Sequence, residues 1–184
     1  MIAGFIRFAN RLSFVSGVLA ASMIAVSILV VCHMIFVRYV LGHSTIWQTE
    51  FVTYMMLGAT LVGMAYVQYL RGHVNVDLLP IYLGGRARLA LGVFVLLLSL
   101  AVTAVFAFYG YAFWHEAWAE GWRSDTVWGV DLWLPYAAVP LGFLLFALQL
   151  LADLLGLLTG RRQAFDLPAR EVGGAAAGRG LAND

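Results

Sequence analysis

Charged side chains are scarce in this chain, so those lying beside apolar runs are the first candidates for chemistry. Arg38 and Glu50 bracket the stretch RYVLGHSTIWQTE, which joins two long apolar segments. A cation and a carboxylate there could grip a transported ion or solute, or could pair across a hairpin and brace two helices. His33 and His115 fall in or beside apolar runs, which makes one haem held between helices conceivable, although single histidines more often pack or hydrogen-bond. Asp153 follows Gln149 by one helical turn near the end of the last apolar run, where pairing with a nearby arginine is the expected use and contact with a partner subunit the second. Cys32 is the single cysteine and excludes an internal disulfide; its neighbour His33 would point elsewhere on a helix, so the two do not make a metal pair. No Walker loop, nucleophile elbow or H-E-x-x-H run occurs, and neither a catalytic residue nor a metal site nor a cofactor is expected.

The elements that must position these residues follow from composition. A soluble domain is about half apolar and a quarter charged. This chain is 62% hydrophobic and 11% charged, which places it in the membrane. Its net charge of +1 excludes a strongly basic nucleic-acid binder. Residues 12–37, 51–70, 89–114 and 132–152 contain no Arg, Asp or Glu. Each run has the roughly 20 residues that cross a hydrocarbon core of about 30 Å, and lipid forces each to satisfy its backbone internally as a helix. The first run is too long for the apolar part of a signal peptide and reads as an uncleaved span. The expected fold is an all-α integral membrane protein with four transmembrane helices at about 12–37, 46–70, 89–114 and 132–158, plus interfacial amphipathic segments.

Arginine placement gives the expected direction. With the N-terminus inside, nine arginines are cytoplasmic (Arg7, Arg11, Arg71, Arg86, Arg88, Arg161, Arg162, Arg170 and Arg179) and two, Arg38 and Arg123, lie outside. Both termini are therefore expected in the cytoplasm. All six tryptophans (Trp47, Trp114, Trp118, Trp122, Trp128 and Trp133) then fall at or near the outer interface, where indole rings are favoured. The connection 71–88, with Gly72 ending a helix and Asp77 capping a short one, is expected to lie along the inner surface. The Gly/Ala-rich stretch 161–184 lacks an apolar face and reads as a disordered cytoplasmic tail after the membrane domain 1–160.

In this topology Arg38 closes the first span and Glu50 opens the second, both at the outer rim. Thr45 and Gln48 fit a capping box that starts the second helix near residue 46. Each charge then lies at a favourable helix end, worth roughly 0.3–1 kcal/mol. Substrate sites in carriers usually lie near the midplane on broken helices, so bracing is the favoured reading.

The order RYVLG, IWQTE, a glycine-containing apolar span and RGHVNVDLL resembles the small permease subunit of tripartite ATP-independent periplasmic (TRAP) transporters, the DctQ type. The resemblance is specific over residues 38–79 and extends in hydropathy over about 12–150. It implies a subunit of a sodium-coupled importer of small carboxylates in the bacterial inner membrane. Its implied partners are a large elevator-type permease (DctM type) and an extracytoplasmic solute-binding protein (DctP type). It also implies that Arg38, Trp47, Glu50, Gly72, His73 and Asp77 shape a scaffold and its contacts, with no substrate ligands in this chain. The alternative is a haem-binding or anchor subunit of a membrane oxidoreductase.

Two surfaces suit partners. Gly58, Ala59 and Gly63 on the second span, and Ser13, Gly17, Ala21 and Ala25 on the first, make small-residue faces that let helices approach closely, within this bundle or against another subunit. Outside, Trp114, Trp118 and Trp122 recur every four residues, on a continuation of the third span or a bent interfacial helix, with His115, Glu116, Glu120 and Arg123 on the other face. Plain interfacial anchoring is the simpler use of this rim; docking of a binding protein through Trp118, Trp122, Glu116 and Glu120 is the sharper one.

Overall fold

The computed structural model of the protein describes residues 2–70 and 85–160. Four helices in it are long and apolar enough to cross a membrane, in agreement with the four charge-free runs. They are α1 (Ile2–Tyr39), α2 (Ile46–Tyr69), α3 (Gly85–Ala119) and α5 (Ala138–Leu158), with the short α4 (Trp133–Tyr136) leading into α5. Among the described residues the only extended pairing is an isolated antiparallel bridge between Arg123 and Asp131.

Two of the helices, α1 and α3, outrun their expected spans of 12–37 and 89–114 at both ends. The 38 residues of α1 extend for about 57 Å at 1.5 Å each, well beyond the hydrocarbon thickness. Arg7 and Arg11 therefore ride on the helix itself instead of preceding it. Lipid forbids exposed backbone polar groups but sets no upper limit on a helix, so its ends are fixed by turn residues instead. At the far end of α3, Gly121 takes φ 65° and Trp122 N–H reaches the Ala117 carbonyl at 3.0 Å, a left-handed Schellman stop. The break between α4 and α5 has a covalent cause. Pro140 has no N–H to give to the Tyr136 carbonyl, so the ladder is interrupted there.

The bundle is not a symmetric square. α1 packs mainly on α2, α2 on α5, and α3 on α5, so α5 is the central helix and α3 hangs on its far side. Most of the buried side chains of α5 lie in its second half: Gln149, Leu150, Ala152, Asp153, Leu154 and Leu157. Close approach is made by missing side chains. At Gly142 an added Cβ would lie 2.6 Å from the Leu61 backbone oxygen, so α2 and α5 touch backbone to backbone. Gly17 makes room for the Tyr66 ring and Gly58 for the end of Met23.

These contacts assign the small-residue faces. Gly58 and Ala59 are buried, and a Cβ at Gly63 would meet Ala20, so this face of α2 packs inside the bundle. On α1 the rhythm Ser13, Gly17, Ala21, Ala25 holds only for its first half. Ala21 and Ala25 are exposed, and the buried face runs through Ala9, Ser13, Ser16, Gly17, Ala20 and Ser27. A strict four-residue step drifts around a helix of 3.6 residues per turn; alternating steps of three and four stay on one face.

Candidate functional site

The two ends of the bundle differ in chemistry. At the end carrying the chain's first residues, three helical side chains bond one buried amide and a fourth bonds its carboxylate partner. Gln149 is fully buried; its Oε1 accepts from Ser13 Oγ at 2.7 Å, and its Nε2 donates to Asp153 Oδ1 at 3.0 Å and Asn10 Oδ1 at 3.3 Å. Gln68 Nε2 donates to the other Asp153 oxygen at 2.9 Å. Amides from α2 and α5 thus hold the Asp153 carboxylate, and Ser13 and Asn10 join α1 to the same cluster. Polar side chains that find each other away from water join helices where lipid supplies no hydrophobic drive. Sequence periodicity exposes half of this cluster, the Gln149–Asp153 turn. The matching signal was the Asn10–Ser13 pair, also about one turn apart, at the start of the apolar part of α1.

The opposite end, carrying the α1–α2 hairpin and the 120–132 loop, holds the motif residues Arg38, Trp47 and Glu50. The helix start at Ile46 is as the capping box required, but the box itself is not made. Thr45 forms no side-chain cap bond, and Gln48 is 2% exposed with a buried Oε1 that lacks a partner among the described residues. Gln48 lies on the same face of α2 as Gly58, Ala59, Val62 and Ala65, so burial on that face wins over the local cap.

Glu50 does not pair with Arg38. Its carboxylate accepts three hydroxyl hydrogen bonds: from Tyr54 at 2.6 Å, from Ser124, and from Thr126 at 2.5 Å. Ser124 and Thr126 belong to the loop between α3 and α4, far away in sequence. That loop is itself a short hairpin. Ser124 N–H bonds the Val130 carbonyl, Leu132 N–H bonds the Trp122 carbonyl, and Arg123 pairs with Asp131 at 2.9 Å. Aromatic contacts reinforce the join. Trp47 and Phe51 of α2 both meet Trp128 of the loop, with ring centroids 6.4 and 6.5 Å apart.

Trp47 and Glu50, three apart at the start of α2, therefore clasp the 120–132 loop with one ring and one carboxylate. Hydrogen bonds that end on a carboxylate are shorter and stronger than neutral ones. The partners of Glu50 had only a faint sequence signal: two hydroxyl residues two apart in a turn-rich loop.

The tryptophan series is also revised. α3 continues straight to Ala119 and then stops, so Trp114 and Trp118 stack on one face while Trp122 lies beyond the helix. Trp114 Nε1 donates to the Trp133 carbonyl, tying α3 to α4. Trp122 packs on Phe113, and its indole N–H meets Glu120 at 2.7 Å. Trp118, Glu116 and Glu120 are exposed. Gly72, His73 and Asp77 lie outside the described residues, as do the 71–84 part of the inner connection and the stretch 161–184.

Comparison with known proteins adds one match. Residues 27–160 fit the family model described as tripartite ATP-independent periplasmic transporters, DctQ component. A search of curated proteins found no match. The matched span takes in the α1–α2 hairpin, the clasp, the 120–132 loop and all of α5, and covers well over half of the chain. The chain belongs to the DctQ family, the small membrane subunit of TRAP transporters.

Proposed function

We propose that this subunit is the fixed scaffold of a sodium-coupled importer of small organic acids, holding a large elevator-type permease in the bacterial cytoplasmic membrane with both of its own termini inside. The observation that carries this reading is where the polar side chains of the bundle are used. Gln149, Asp153, Gln68, Ser13 and Asn10 bond one another, and Glu50 is taken by three hydroxyls. Groups committed to such bonds rigidify a bundle and leave few ligands for a solute. A static partner needs that rigidity. Solute and sodium sites are then the large subunit's, and a binding protein delivers the acid.

The haem alternative gains no support from the geometry. His33 lies against Trp47, and His115 lies against Tyr111 and Trp118. Their helices, α1 and α3, have no packed interface with each other.

The exposed rim formed by Glu116, Trp118 and Glu120 is the candidate dock for the binding protein, with Trp122 beneath it holding Glu120. Residues 115–131 carry a net charge of −3, which suits a basic patch on a partner. Reversing Glu116 and Glu120 to lysine is expected to weaken capture of the binding protein by the assembled membrane complex by about tenfold at low salt, with the difference shrinking as salt rises. Capture is read by surface binding of the purified binding protein to immobilised complex. Equal affinity for both forms at low salt retires this dock.

A further inference from the structure

We infer that the bundle meets the lipid bilayer obliquely, its helices inclined by about 40° to the membrane normal, so that the band of surface facing hydrocarbon climbs from α3 to α1. Contacts between the helices fix one common level. Gly58 of α2 faces Met23 of α1 and Ala138 of α5, and Gly110 of α3 faces Val139 of α5. Pairs farther from the clasp keep the same register: Ser13 bonds Gln149, Gln68 bonds Asp153, and the Phe106 and Phe143 rings stack. Met23, Gly58, Ala138 and Gly110 therefore stand side by side across the four long helices.

The charge-free runs do not stand side by side. Measured from that level at 1.5 Å per residue, the midpoint of 12–37 on α1 lies about 2 Å toward the clasp. The midpoints of 51–70 on α2, 132–152 entering α5, and 89–114 on α3 lie about 4, 6 and 13 Å away from it. The order α1, α2, α5, α3 is also the order in which the helices pack. Both rims repeat the slope. On α1, Arg11 and Arg38 stand about 18 Å to one side of the common level and 22 Å to the other. On α3, Arg88 and His115 stand about 33 Å and 8 Å from it. An upright bundle in a flat bilayer would put Leu89 and Phe94 of α3 beyond one surface and Ile35 and Phe36 of α1 beyond the other. These side chains are 44%, 62%, 50% and 55% exposed, so water would cover them.

Two separate lengths give the angle. α1 and α3 have no packed interface with each other and both pack on α5, so their axes are about two helix spacings apart, roughly 16–20 Å. An offset of about 15 Å over that width is a slope of about 40°. Independently, the runs 12–37 and 89–114 each extend for about 39 Å, which fits a hydrocarbon core of about 30 Å when inclined by about 40°. A stretch longer than the core is accommodated by tilting, and packing against neighbours sets the direction.

The test uses the full chain in lipid nanodiscs with Cys32→Ser and one spin label at Ile24→Cys, Val102→Cys or Tyr109→Cys, all lipid-facing positions 43%, 48% and 68% exposed. Ile24 and Tyr109 share a level in the bundle, whereas Ile24 and Val102 share the midplane of an inclined one. Depth is read from collision with oxygen and with a water-soluble nickel chelate. Ile24→Cys and Val102→Cys should report the same depth, and Tyr109→Cys should lie about 8 Å nearer the surface. Equal depths at Ile24 and Tyr109 overturn the inference. The unlabelled chain in oriented bilayers provides the second reading, by polarised infrared dichroism of the amide band. A mean helix inclination of about 40° is expected; a mean at or below the usual value of about 20° also overturns it, because the bilayer would then bend to an upright protein. Neither measurement needs transport, so failure here leaves the scaffold reading standing.

Discussion

Gly142→Leu is expected to abolish recovery of the folded subunit. At this position a Cβ would stand 2.6 Å from the Leu61 oxygen, 2.7 Å from its carbonyl carbon and 2.8 Å from its Cβ. A flexible side chain could swing away, but a helix backbone cannot, so α2 and α5 must part. Overpacking a core costs about 1–3 kcal/mol and occasionally more. Here the upper end or beyond applies, because α5 is the helix on which α1, α2 and α3 all pack. Thermal unfolding and monodispersity in mild detergent provide the measurement. The matched control is Gly4→Leu, since nothing lies within 4 Å of a Cβ there. Similar melting for the two variants would mean that the α2–α5 contact is looser than described.

Glu50→Ala should release the 120–132 loop while leaving the four long helices in place. Three hydroxyl donors lose their acceptor, two of them on the loop, so the loop loses its polar tie to α2. Amide hydrogen exchange reads this directly. Protection at Ser124 and Leu132, whose N–H groups bond Val130 and Trp122, should fall by at least tenfold, with the α5 amides unchanged. Glu50→Gln should be intermediate, because it keeps one oxygen for Tyr54 and Ser124 but presents an amide N–H₂ toward Thr126. Arg38→Ala should have no effect on loop protection. Were Arg38→Ala to loosen the loop as much as Glu50→Ala, the hairpin pair would be restored as the brace.

These two residues also mark what could be read before the fold was known. Helix number and approximate spans were open to inspection, because lipid converts a charge-free run into a helix with little room for choice. Trp47 and Glu50 stand out in the sequence through their place beside apolar runs and through the family pattern. Their partners were not. Glu50 is bound by residues more than seventy positions away, and a carboxylate's choice between a nearby arginine and distant hydroxyls depends on which loop folds over it. Gly142 follows Ala138 by four residues, the same small-residue spacing as Ala59 and Gly63, but spacing alone does not say which helix comes close, and here it is the α2 backbone at Leu61. The failure of the Thr45–Gln48 box shows tertiary burial overriding a local rule. Ala21 and Ala25 do not join Ser13 and Gly17 inside the bundle, because a four-residue step drifts around the helix.

In the scaffold role proposed above, this subunit holds a moving neighbour and moves nothing itself. Reconstitution in sodium-loaded and sodium-free liposomes tests it most directly, with uptake of a panel of labelled small carboxylates as the readout. Liposomes containing this chain alone should show uptake no faster than empty ones, and those containing it with the large permease and the binding protein should take up an acid down an inward sodium gradient. Sodium-dependent uptake, or saturable binding of an acid, by this chain in isolation would contradict the claim.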